Sequence, residues 1–102
     1  MSTKKWYGLA DLERKYGQMT LGRFLKAFRE ADEQSQIDYA HRLGLSRANL
    51  CDLEKGRRFA SPARAARLAA RLGVPEAVLV QLSLQDELRA AKLKYRVELK
   101  VA

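Results

Sequence analysis

Apolar residues recur at helical spacing through most of this chain, and then the period changes. Leu9, Leu12 and Tyr16 predict a short helix that Gly17 stops. Thr20 is placed to cap a second helix, whose Leu21, Phe24, Leu25 and Phe28 fall at i, i+3, i+4 and i+7, with Arg23, Lys26 and Glu30 opposite. Ser35 opens a third helix in capping-box register with Asp38; Ile37, Ala40 and Leu43 are its expected inner face and Gly44 its stop. Ser46 caps another helix almost at once, with Leu50 and Leu53 inward and Gly56 behind it. Two short helices joined by a three-residue turn containing glycine must cross steeply, and Ala40 leaves room for the approach.

Ser61-Pro62 reads as N-cap and first helical residue of the next helix, with Ala65, Leu68, Ala69 and Leu72 inward and Gly73 at the end. Pro75 starts a last helix through Val78, Leu79 and Leu82, continuing toward Lys92. From Leu93 onward, Leu93, Tyr95, Val97, Leu99 and Val101 alternate with Lys94, Arg96, Glu98 and Lys100, which predicts a half-buried β-strand. Such a strand needs a partner for its backbone: Lys4 to Tyr7, the same segment of a second copy, or the sheet edge of another protein.

Composition narrows the function. The 102 residues, 47% hydrophobic, suit one modest domain. There is one cysteine, Cys51, and one histidine, His41, so an internal disulfide and a two-histidine zinc site are excluded. No catalytic residue, metal or cofactor is expected, and an enzyme is disfavoured. No apolar run approaches the roughly 20 residues of a membrane span and no signal peptide is evident, so the expected location is the cytoplasm, with the nucleoid. Lysine and arginine number 20 against 12 acids, for a net charge of +8. That balance favours a polyanion as partner. Between Ser35 and Arg71 the bases Arg42, Arg47, Lys55, Arg57, Arg58, Arg64, Arg67 and Arg71 face only Asp38, Asp52 and Glu54.

The stretch from Ser35 to Ser46 (SQIDYAHRLGLS), followed by Leu50, Leu53-Glu54-Lys55-Gly56-Arg57, closely resembles the Xre/Cro-like helix-turn-helix family of phage and bacterial regulators. The likeness reaches back to Arg29 and forward to Leu72-Gly73-Val74. It implies an all-α, five-helix, lambda-repressor-like DNA-binding bundle over 20–92, here with an N-terminal helical extension (1–19) and a C-terminal strand (93–102). Ser35 to Leu43 would cross the DNA backbone and Ser46 to Lys55 would enter the major groove, which admits one helix. Base edges then fall to Arg47, suited to guanine, to Ala48, suited to a thymine methyl, and to Asn49, suited to adenine. Asp52, one turn on, accepts from cytosine N4, orients Arg47 or selects against other bases. Gln36, Ser46, Lys55, Arg57 and Arg58 are the expected phosphate contacts. The resemblance also implies a largely buried ion pair between Arg29 and Glu54.

As partners, the family implies an inverted-repeat operator in double-stranded DNA bound by a homodimer, with Tyr95, Val97, Leu99 and Val101 as candidate dimer or partner contacts. A repressor is the leading expectation. The alternative is the antitoxin of a toxin–antitoxin pair that also represses its own operon, holding a small toxin through Leu93 to Val101 or Lys5 to Tyr16. Cys51 reads as an ordinary packed or half-exposed thiol, Trp6 and Tyr7 as packing aromatics, and the Arg64 to Arg71 helix as a bundle member and not a membrane helix.

Overall fold

Serine and threonine caps set the helix starts. Thr20 Oγ1 accepts from Arg23 N, Ser35 Oγ from Asp38 N, Ser46 Oγ from Asn49 N and Ser61 Oγ from Arg64 N, all at 3.0–3.1 Å. Each bond satisfies an N–H that the first helical turn cannot satisfy itself. In the computed structural model, which describes residues 13–14 and 17–102, these caps open α1 (Leu21–Ala31), α2 (Gln36–Leu43), α3 (Arg47–Glu54) and α4 (Pro62–Leu72). Helix α5 (Glu76–Ala90) follows Pro75. Gly44 and Gly73 close α2 and α4 in the left-handed conformation, with φ of 72° and 73°. The helix expected from Leu9 to Tyr16 and the segment from Lys4 to Tyr7 lie outside the described residues.

The core gathers Leu21, Phe24 and Leu25 of α1, Tyr39, Ala40 and Leu43 of α2, Leu50 and Leu53 of α3, Ala65, Leu68, Ala69 and Leu72 of α4, and Leu79 and Leu82 of α5. Helix α4 packs along α5, α1 lies against α3 and α5, and α2 touches α3 and α4. One expected inner position is corrected. Ile37 is 64% exposed, and Tyr39 is fully buried in its place. Eight residues give only two turns, so an apolar stripe on α2 can rotate to either flank; α2 turns toward the tyrosine side and leaves Ile37 in solvent.

The expected C-terminal β-strand is also corrected: no strand occurs among the described residues. Lys92 takes a left-handed φ of 61°, and Leu93 N donates to Leu88 O at 2.9 Å, reversing the chain at the end of α5. The tail then runs back along that helix. Gln85 donates Nε2 to Tyr95 O at 2.7 Å and accepts from Val97 N at 2.8 Å. The alternation is real, but a strand is defined by its ladder, and here a side-chain amide takes the ladder's place.

Polar ties from α5 hold the bundle together. Ser83 Oγ donates to Ala60 O at 2.8 Å, and buried Asp86 accepts from Leu21 N at 3.1 Å, with Arg89 Nη1 at 3.1 Å on its other oxygen. Asp86 thus caps α1 from a helix 65 residues away. Its pKa is raised above 3.8, chiefly by burial, against which the Leu21 bond and Arg89 act. The folded state therefore holds the proton more tightly than the unfolded chain does. The Asp86 contribution to stability is most favourable below about pH 3.8, the unfolded value, and declines as pH rises through the folded value. Asp86→Asn should flatten that decline while keeping an acceptor for Leu21 N. Asp86→Ala should lose about 1–3 kcal/mol by orphaning it. Urea titrations of the three proteins from pH 3 to 7 check both, and a wild-type slope retained in Asp86→Asn would contradict the assignment.

Candidate nucleic-acid interface

Helix α3 stands with its N-terminal end outward. Leu50 and Leu53 anchor its inner face, and the Ser46 cap fixes where the helix begins. Arg47 and Ala48 are exposed, Asn49 and Asp52 half-buried. Arg47 and Ala48 thus open the helix in solvent, with Asn49 beside them and Asp52 one turn on, both partly covered. Ser46 uses its oxygen as the cap acceptor, which leaves its hydroxyl proton available to a phosphate.

The segment after α3 is fixed by its backbone. Arg57 N and Arg58 N both donate to Asp52 O, at 2.8 and 3.2 Å, and Gly56 takes a φ of 76°. Lys55, Arg57 and Arg58 are thereby held exposed at the C-terminal end of α3. Half-buried Arg64 and exposed Arg67 and Arg71 reach from α4 toward the α2–α3 turn, where they line a shallow cleft with Leu43, Gly44, Leu45 and Leu68. Arg42 is more committed: it pairs with Asp32 at 3.3 Å and lies 5.8 Å from the Tyr39 ring centroid.

Behind the interface sits a charged knot. Glu54, with a side chain 2% exposed, accepts from Arg29 Nε at 2.8 Å, Arg29 Nη2 at 3.0 Å and Gln36 Nε2 at 3.1 Å. Arg29 also donates to Gln34 O at 3.2 Å. Its pKa is raised, first by the hydrogen bond to Glu54. This carboxylate joins α1, the start of α2 and the end of α3. It therefore sets the angle at which the two helices of the turn present themselves. Tyr39, buried nearby with a hydroxyl that lacks a hydrogen-bond partner, has its pKa pushed up to about 12, chiefly by burial.

Three features carry no signal in the sequence. Gln36, assigned to phosphate, spends one amide N–H on Glu54 and has its other polar groups to offer. Asp52 faces Arg57 Nη1 at 3.6 Å, and no contact joins it to Arg47. The pair is 32% and 63% exposed, so it is worth little and leaves Arg57 free to exchange partners. Ile37 and Phe59, 64% and 54% exposed, put apolar surface directly beside Gln36 and Arg58 in the chain.

Two short helices crossing through a glycine turn, the second with its polar N-terminal face open and cations at its far end, define a helix-turn-helix DNA-binding domain. Comparison with known families agrees: the model of the helix-turn-helix domain matches residues 20–82. The chain belongs to that family, consistent with an Xre-like regulator. No curated protein and no solved structure matches it. Among the described residues no three potential metal ligands cluster, and no helix is long and apolar enough to cross a membrane.

Proposed function

We propose that the protein is a sequence-specific regulator of transcription, a repressor that binds an inverted repeat in double-stranded DNA as a homodimer. The observation that carries this reading is the open face of α3, with Arg47, Ala48 and Asn49 exposed or half-exposed at the end that enters a major groove. Arg47 donates two bonds to guanine O6 and N7, Ala48 packs on a thymine methyl and Asn49 reads adenine. Lys55, Arg57 and Arg58 grip phosphates on one side of the groove, and Gln36 and Ser46 on the other. Asp52 exchanges Arg57 for a cytosine amine or returns it to a phosphate. A bound dimer represses by occupying its operator.

Arg47→Ala tests this. Affinity for a site selected from random DNA is expected to fall by about 1–3 kcal/mol, with relaxed preference at one base pair and unchanged affinity for unrelated DNA. Fluorescence anisotropy at one fixed salt concentration measures both. An equal loss on cognate and random DNA would make Arg47 a phosphate contact and remove the base-reading role.

A further inference from the structure

The tail beyond α5 has one edge occupied and the other open. Tyr95 O and Val97 N both point at the Gln85 amide, which makes the two bonds that one residue of an adjacent parallel strand would make. The peptides joining Tyr95, Arg96 and Val97 are planar and trans, so each turns its second polar group the opposite way. The N–H and C=O of Arg96 are thus directed away from Gln85. Among the described residues no hydrogen bond involves the backbone of Arg96, Glu98 or Lys100. Most of the side chains on this segment are exposed too, with Val97 half-buried and Leu99 partly covered. Leu93, Tyr95 and Val101 are 48%, 68% and 98% exposed, and Arg96 reaches Glu13 only at 3.8 Å.

We infer that the open edge pairs with the same segment of a second copy, as an antiparallel two-stranded ribbon whose two-fold axis passes through Val97. The inference rests on the homodimer reading above and assigns its interface. In this register Val97 faces its own copy, Tyr95 faces Leu99 and Leu93 faces Val101, so all five apolar residues meet apolar partners. Arg96 faces Glu98 twice, once on each side of the axis. Arg96 and Glu98 form the hydrogen-bonded pairs, which use the outward backbone groups and leave Gln85 its own. A shift of two residues either way sets Arg96 or Glu98 against its own copy on the axis. A parallel in-register pair stacks Lys94, Arg96, Glu98 and Lys100 each on itself. The sequence is self-complementary in charge about Val97 apart from Lys94, which meets Lys100 at the ribbon's solvent-facing ends. An edge strand from an unrelated protein would use the same backbone groups but has no reason to match that symmetry.

Two sets of variants test this in the full chain. At the axis, Val97 sits in a non-hydrogen-bonded pair with Cα atoms about 4.5 Å apart, within disulfide reach. In a Cys51→Ser background, Val97→Cys should oxidise to a covalent dimer. Tyr95→Cys and Leu99→Cys should do so only when mixed with each other. Arg96→Glu or Glu98→Arg alone should weaken self-association roughly tenfold by sedimentation equilibrium, since each sets two like-charge pairs across the ribbon. The double exchange Arg96→Glu, Glu98→Arg should restore it. Circular dichroism on each variant confirms the bundle is folded. A chain that stays monomeric, or cross-links that form equally in every combination, overturns the ribbon. Arg47-dependent DNA binding measured on the same samples separates the two readings: if it survives while self-association is absent, the ribbon fails and the DNA reading stands.

Discussion

Glu54→Ala is expected to lower folding stability by about 3–5 kcal/mol, the largest loss from any single charged side chain among the described residues. The reason is what the substitution leaves behind. Arg29, 14% exposed, keeps its charge at every accessible pH and would lose both oxygens of the carboxylate that offsets its burial. Its pKa is raised in the fold, first by the hydrogen bond to Glu54, so the guanidinium side of the pair stays charged. Gln36 would lose its acceptor as well. Replacing both charges, as Arg29→Met with Glu54→Leu, removes the uncompensated ion along with the pair and should cost much less than the sum of the single changes. The coupling is read from a double-mutant cycle in urea. A Glu54→Ala loss under about 1 kcal/mol would mean that Arg29 finds solvent or another acceptor, and that the knot does not hold the turn.

The elements visible in the sequence are those governed by neighbouring residues. Thr20, Ser35, Ser46 and Ser61 were legible because a cap acts over three residues, and Gly44 and Gly73 because a left-handed C-cap favours glycine locally. The placement of α3's outward residues followed from its caps and from Leu50 and Leu53. Contacts across the fold were not legible in the same way. Asp86 caps α1 from α5, and no periodicity within either helix encodes that bond. The partner of Asp52 is Arg57, because the chain turns back after Gly56 and brings that arginine beside α3. The alternation after Leu93 predicted a strand that does not form, because the chain reverses at Lys92 and Gln85, to all appearance an ordinary helix-surface residue, takes the backbone bonds instead. Ile37 and Tyr39 changed places because two helical turns do not fix a stripe's rotation.

Gly22→Ala separates local from tertiary control most sharply. Glycine is the poorer residue inside a helix, so propensity alone predicts that alanine at this α1 position would stabilise the protein by about 1 kcal/mol. The packing predicts the reverse. A Cβ on Gly22 would overlap the carbonyl oxygen of Leu53 and lie 2.9 Å from its carbonyl carbon and 3.1 Å from Glu54 O. All three are backbone atoms at the end of α3, so no rotamer change relieves the clash. Helices α1 and α3 must part, which lifts Leu53 from the core and pulls Glu54 from Arg29. A net loss of about 3 kcal/mol is expected, the upper end for overpacking, because the obstacle is main chain. Gly56→Ala is the control: nothing lies within 4 Å of its Cβ, and its φ of 76° alone predicts a loss of about 1 kcal/mol. Urea denaturation compares the two. Because α3 carries Arg47, Gly22→Ala should also weaken specific DNA binding under conditions where the protein remains folded. A Gly22→Ala protein as stable as the wild type would show that α1 does not approach α3 so closely, and would undo the positioning of α3.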